Sequence, residues 1–431
     1  MPVIVTARAA ERPSAPAAAR RIMNGLELPS RRARGGVLSI VSRPTTMLRL
    51  SPRIARIAPF YAMEVVKQAA ALQAEGRDIV QMSIGEPDFT AIPAVVEALE
   101  RTAREGRTQY TEAVGIAPLR EAIAGFYRTR FGVAVDPARI IVTAGASGAL
   151  LLACTALVDA GAQVLMPDPT YPANRHIVTA AGGEPVLIPA GPADRFQLSA
   201  EHIRRHWTPR TAGVIVASPG NPTGTSIAPD ALAGLVREVR GRQGFTIVDE
   251  IYLGLSYDGD RRSALALGDD LIIVNSFSKY FHMTGWRLGW LVVPPQLVSV
   301  FEKLAQNLVI CPSTLAQHAA IACFHPESLE IFEARREAFR QRRDYLLPEF
   351  ERLGLTVPVQ PDGAFYIYSD IRAHAADSAA FATRLLHEAG VCAVPGRDFG
   401  TAETASYLRF SYATDMARLQ EGVARMARLL G

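Results

Sequence analysis

Between residues 140 and 275, five short apolar runs alternate with stretches of helical periodicity. They fall at 140–143, 163–166, 214–217, 245–248 and 271–275. Each is about the length of a strand buried on both faces, and too short for a helix. Upstream, Leu119, Ile123, Phe126 and Tyr127 recur at i, i+4, i+7 and i+8, which lines one face of a helix. Strands alternating with helices predict βαβ units, hence an α/β fold whose mostly parallel sheet is sandwiched by helices. Each run hands over to a polar or Gly/Pro-rich turn, and an open α/β sheet places its ligands beyond the carboxyl ends of its strands.

The chain has 431 residues, enough for a large domain and a smaller one. Its character changes near residue 325. A charged helix over 333–352 has Phe332, Phe339, Leu346 and Phe350 recurring at 7, 7 and 4. A β-type stretch at 364–368 and a last helix at 415–430 follow. The expected division is a large domain over 91–325 and a small one built from 47–90 and 326–431.

Charge argues against a polyanion partner such as nucleic acid. The formal net charge is +4, but residues 1–46 hold eight arginines against Glu11 and Glu27, so the remainder is near −2 (+4 minus 6). The longest apolar stretch, 148–158, is too short to span a bilayer. Cys154, Cys311, Cys323 and Cys392 are scattered with no CxxC pair, which argues against a disulfide framework or a metal site and for reduced thiols in the cytoplasm. The first 46 residues lack the apolar centre of a secretory signal, although an organelle transit peptide shares their composition. An over-long start before Met47 is the simpler reading, with a disordered extension expected.

The turn after the last run carries the most chemistry. Ser276-Phe-Ser-Lys-Tyr-Phe-His-Met-Thr-Gly-Trp-Arg-Leu-Gly289 delivers a hydroxyl, one primary amine (Lys279) and a guanidinium (Arg287) to one place. An amine can form a Schiff base with an aldehyde, and the other two groups can hold a phosphate. Pyridoxal 5'-phosphate carries both. The other turns add Thr143-Ala-Gly-Ala-Ser147 opening a helix, where free N–H groups favour an anion. Asp168-Pro-Thr-Tyr171-Pro, Ser218-Pro-Gly-Asn221-Pro-Thr-Gly and Val248-Asp249-Glu-Ile-Tyr252 follow. The X-Pro bonds of the proline-dense turn are candidates for the cis form. Read one at a time, most of these fit ordinary turns.

In order and spacing they closely resemble the class I/II aminotransferases. Asn221, Asp249, Lys279, Arg287 and Arg409 are separated by 28, 30, 8 and 122 residues, and Gly85 in Ile-Gly-Glu-Pro-Asp and Tyr110 in Gln-Tyr-Thr fit as well. The resemblance covers 47–431 and implies a fold-type-I transferase that moves an amino group between an L-amino acid and a 2-oxo acid with ping-pong kinetics. It implies that Lys279 holds pyridoxal phosphate and then acts as the base. Asp249 keeps the pyridine nitrogen protonated. Asn221 and Tyr252 bond the phenolate oxygen, and Tyr171 stacks on the ring. Ala146, Ser147, Ser276 and Arg287 contact the phosphate, with Gly85, Tyr171, Asn221 and Arg409 on the substrate side. Tyr110 reaches the phosphate of a neighbouring subunit, which implies a C2 homodimer.

Aspartate-selective prokaryotic relatives carry a lysine in the phosphate-loop helix and hydroxyl residues near the N-terminal segment. Here Ser147 and Tyr61 stand at those places, which leans towards a neutral or apolar amino acid. A β-lyase or decarboxylase on the same fold would share Lys279, Asp249 and Arg287. An aminotransferase-like ligand-sensing domain would need a DNA-binding module, for which residues 1–46 lack length and helical pattern. Ser276-Phe-Ser-Lys279 also satisfies S-x-x-K formally, but no Lys-Thr-Gly follows.

Overall fold

All five runs join one seven-stranded sheet. The structure, a computed structural model, describes residues 48–258 and 262–431, and Ser51–Gly431 pack as one unit. The expectations for residues 1–46 lie outside the described residues. The strands are β1 (Ile140–Thr143), β2 (Gln163–Asp168), β3 (Glu184–Pro189), β4 (Thr211–Ala217), β5 (Phe245–Asp249), β6 (Ile272–Ser276) and β7 (Gly289–Val292). Their spatial order is β1-β7-β6-β5-β4-β2-β3.

The stretch from β6 to β3 is parallel, and β7 runs antiparallel to both β6 and β1. Only the short loop 277–288, with a single 3-10 turn, joins β6 to β7, so the chain returns directly instead of crossing over through a helix. The period-based reading passed over β3 and β7. Strand β3 holds Pro185 and Pro189, which an edge strand tolerates.

Alternate residues of the central strands enter different cores, which explains why the runs look uniformly apolar. Ile141, Met166, Ile215, Ile247 and Val274 pack in one layer with the helix Gly145–Leu157. Val142, Leu165, Val216, Val248 and Ile273 pack on the other side with the helix Ala117–Phe131, whose four periodic residues are all buried. The sheet is therefore covered on both faces.

Beyond it, the helix Pro326–Arg352 starts earlier than its pattern suggests, because Pro326 occupies its first turn. Its four periodic side chains are fully buried. A second, antiparallel sheet contains β8 (Tyr366–Asp370), β9 (Val394–Pro395) and β10 (Tyr407–Ser411) in the order β9-β10-β8. Strand β8 begins two residues later than expected, since Ala364 has a φ of 59° that no strand accommodates. The last helix, Met416–Leu430, is capped by the Asp415 carboxylate at the Arg418 N–H. No helix among the described residues is long and apolar enough to cross a membrane.

Candidate active site

The turn after β6 and the turn after β1 interlock. Gly145, with a φ of +73°, opens the helix Gly145–Leu157, and a Cβ there would lie 2.7 Å from Arg287 Nη2. Only glycine lets the guanidinium settle against the helix start. A cation and the free amides of that N-terminus then face one space, an arrangement suited to a dianion. Ala146 and Ser147 border it. Arg287 itself adopts a left-handed φ of 54° and donates to the Thr284 carbonyl at 3.0 Å.

Lys279 projects into the same space, and its Nζ donates to the Gly85 carbonyl. Burial brings its pKa down from 10.5 to about 8, against the pull of Glu86. The hydroxyl bordering the cavity belongs to Ser278. The Ser276 hydroxyl, expected there, donates to the Leu288 carbonyl at 3.1 Å and shares a 2.9 Å hydrogen bond with Ser278 Oγ.

Asp249, the last residue of β5, and Glu250, which follows it, point to different places. Asp249 faces the cavity, where burial raises its pKa to about 6, and the Ile251 N–H at 3.0 Å and Lys279 counteract this in part. Glu250 points away. It accepts from Ser263 Oγ and from the Ala264 N–H, holding a 3-10 turn, so its role is structural.

Asn221 and Arg409 meet across the cavity. Arg409, on β10 and only 2 % exposed, donates to Asn221 Oδ1 at 3.0 Å and to the Ser83 carbonyl at 2.6 Å. Its Nε has no partner, and its plane lies over the rings of Tyr366 (4.5 Å) and Phe399 (4.9 Å). No carboxylate pairs with it among the described residues. A buried guanidinium left in this state is complementary to a bidentate carboxylate ligand. The Asn221 turn contains cis bonds at Ser218–Pro219 and Asn221–Pro222.

Tyr252 shares a 2.9 Å hydrogen bond with Tyr366, and Tyr171 closes another side of the cavity. Burial raises the pKa of all three tyrosines, so their hydroxyls stay protonated. Tyr110 is 79 % exposed and lies apart from the cavity.

Sequence reasoning missed Tyr366, Ser83 and Asp398. Asp398 is 1 % exposed and accepts the N–H groups of Tyr61 and Ala62, each at 3.1 Å. These open the helix Tyr61–Ala74, whose macrodipole the carboxylate complements. The helix and the residue before it bring Phe60, Ala62, Met63 and Val66 to the cavity wall. Tyr61 lies outside that wall, beneath Arg397 at 5.1 Å, so it is not the side chain that reads the substrate.

The cavity, about 760 Å³, is large enough for a cofactor and a small substrate together. Its charged groups match pyridoxal phosphate: a partly neutral amine for the aldehyde, a buried carboxylate for the pyridine nitrogen, and a guanidinium at a helix start for the phosphate. Arg409 is left over for a substrate carboxylate.

Comparison with known proteins agrees with this inventory. The family model described as aminotransferase class I and II matches residues 77–426. Valine–pyruvate aminotransferase of Mycobacterium tuberculosis is 40% identical over 378 residues, which cover 87% of this chain and 97% of that protein. Aspartate/prephenate aminotransferase of Thermus thermophilus is 37% identical over 388 residues, covering 89% and 100%. Among solved structures, an aminotransferase from M. tuberculosis superposes with a TM-score of 0.86 at 39% identity, covering 89% of this chain and 99% of that one. The T. thermophilus aspartate aminotransferase with maleate gives 0.84 at 36%, covering 89% and 100%. With the family matched over most of its length, this chain belongs to the class I and II aminotransferases, pyridoxal-phosphate-dependent transaminases of fold type I.

Proposed function

We propose that this transaminase uses a neutral, apolar L-amino acid as donor. The observation that carries the reading is the cavity's side-chain wall, where Phe60, Met63, Val66 and Ile84 present hydrocarbon. The cations at the cavity are Lys279, Arg287 and Arg409, and each has a partner in the cofactor or the α-carboxylate. Among the described residues of one subunit, none is left for an acidic side chain. The valine–pyruvate relative supports this choice over the aspartate/prephenate one. A screen of twenty amino acids against pyruvate and 2-oxoglutarate tests it. Fastest turnover is expected with small or branched apolar donors, and a profile led by aspartate would overturn it. The same assay separates transamination from β-elimination and decarboxylation, which release no new amino acid.

Bound pyridoxal phosphate supplies the electron sink that makes the substrate Cα–H acidic. The chain's own groups do the rest. Lys279 would hold the aldehyde carbon and would serve as the base that moves the proton at the substrate Cα. Asp249 keeps a proton on the pyridine nitrogen. Asn221 and Tyr252 donate to the phenolate oxygen, and Tyr171 covers the ring. Arg287, Ala146 and Ser147 hold the phosphate, with the Ser278 hydroxyl at the place expected of Ser276. Arg409 binds the substrate carboxylate, with Gly85 beside it. Product leaves before the second substrate enters, so double-displacement kinetics are expected.

The same reading places Tyr110 against the phosphate of a second subunit in a homodimer. Its exposure, and that of the run Leu308, Val309 and Ile310, support this. Residues 91–325 are read as the large domain, and 47–90 with 326–431 as the small one. The separate sheets within 140–292 and 366–411 favour that division. A cytoplasmic location is favoured by the four unpaired cysteines.

A further inference from the structure

The hydroxyls of Tyr252 and Tyr366 approach to 2.9 Å in a buried setting, and each is the other's hydrogen-bond partner in the structure. Both rings border the cavity, at a near-perpendicular 81°. Tyr366 projects from β8, and its ring supports the Arg409 guanidinium from below. Its oxygen is shut in by the Gly85 backbone, where an added Cβ would stand 3.3 Å away. Two protonated hydroxyls facing each other have two arrangements. When Tyr252 donates to Tyr366, its proton is unavailable to the cavity. When Tyr366 donates to Tyr252, the Tyr252 proton turns to an acceptor in the cavity, and the chained bond polarises it further.

We propose that Tyr366 is a positioning residue that donates to Tyr252 and thereby makes Tyr252 a stronger donor to the phenolate oxygen of the bound cofactor. This rests on the assignment of Tyr252 to that oxygen. A donor aimed at the phenolate stabilises the deprotonated, more negative form of the bound chromophore, so it lowers the pH at which the visible absorbance changes. Removing the Tyr366 hydroxyl weakens the donor and raises that midpoint. Tyr366→Phe keeps the ring beneath Arg409 and deletes only the hydroxyl, so the carboxylate end stays in place.

The test is a pH titration of the visible absorbance of the holoenzyme and of Tyr366→Phe, Tyr252→Phe and the double variant. Loss of one neutral hydrogen bond corresponds to an upward shift of roughly half to one pH unit for Tyr366→Phe. Tyr252→Phe is expected to shift the midpoint further. In the double variant Tyr366→Phe is expected to add nothing, because its effect passes through Tyr252. If Tyr252→Phe shifts the midpoint but Tyr366→Phe does not, or if the two shifts add, the proposal is overturned and the Tyr252 assignment stands. If Tyr252→Phe leaves the midpoint unmoved, both fall.

Discussion

Arg409 Nη1 donates to Asn221 Oδ1 at 3.0 Å across a separation of 188 residues, tying β10 to the proline-dense turn after β4. The guanidinium proposed to bind a substrate carboxylate is thus already aimed by Asn221. Arg409→Ala removes charge-assisted bonds without touching the lysine. It is expected to lower kcat/KM on the order of a hundredfold or more, mostly through KM, with the visible absorbance retained. Steady-state kinetics with an amino-acid donor checks this, and an unchanged KM would contradict the role.

Lys279 sets a pH signature. Burial lowers its pKa from 10.5 to about 8, so the neutral, nucleophilic amine accumulates as pH rises through that value. Recombination of the apoenzyme with pyridoxal phosphate is expected to accelerate about tenfold between about pH 7 and about pH 9, then level off. Stopped-flow absorbance reads the rate. A rate still climbing beyond about pH 10 would describe an ordinary exposed lysine instead. Lys279→Ala should lose the protein-linked absorbance altogether, and borohydride reduction with peptide mapping should tag Lys279 in the parent enzyme.

Gly145→Ala tests the interlock at the phosphate. The new Cβ would meet Arg287 Nη2 at 2.7 Å on a backbone with a φ of +73°, so the guanidinium must move. Cofactor affinity is expected to fall by about tenfold or more, measured by equilibrium dialysis. Gly148→Ala, whose Cβ would stand an ordinary 3.4 Å from Ala144 Cβ on the same helix, is expected to bind pyridoxal phosphate normally. Equal losses in the two variants would argue against a specific contact.

Asp398→Ala removes both acceptors at the start of the helix Tyr61–Ala74. A stability loss of roughly 1–3 kcal/mol is expected by thermal or urea unfolding. KM should rise most for the bulkier apolar donors and least for alanine, since the hydrocarbon wall loosens while Lys279 and Arg409 remain. A uniform rise across donors would show that the wall does not read the side chain.

The sequence is legible where the chemistry constrains neighbours. The span from Ser276 to Gly289 brings an amine and a guanidinium to one cavity, so its spacing is fixed locally. Strands β2, β4, β5 and β6 stand out because two covered faces demand unbroken apolar runs, whereas the edge strand β3, with its two prolines, does not. Legibility fails where contacts are long-range or the local signal is bland. Tyr366 sits in Ala-Phe-Tyr-Ile-Tyr, and nothing there distinguishes a packed strand tyrosine from one whose hydroxyl meets Tyr252. Asp398 reads as a turn acid until the fold carries it to the helix Tyr61–Ala74. Adjacent Asp249 and Glu250 are interchangeable in one dimension, and only the fold assigns them. Ser276 ends β6 and Ser278 lies in the turn beyond it, and the structure directs one hydroxyl to the other.

The helix held by Asp398 also shows how this scaffold can diversify. Substitutions at Phe60, Met63 or Val66 would reshape this cavity wall without disturbing the strand end that bears Asp249 or the loop that bears Lys279. Recognition and reactivity are written in segments some two hundred residues apart. New preferences can therefore arise while the catalytic apparatus is inherited intact.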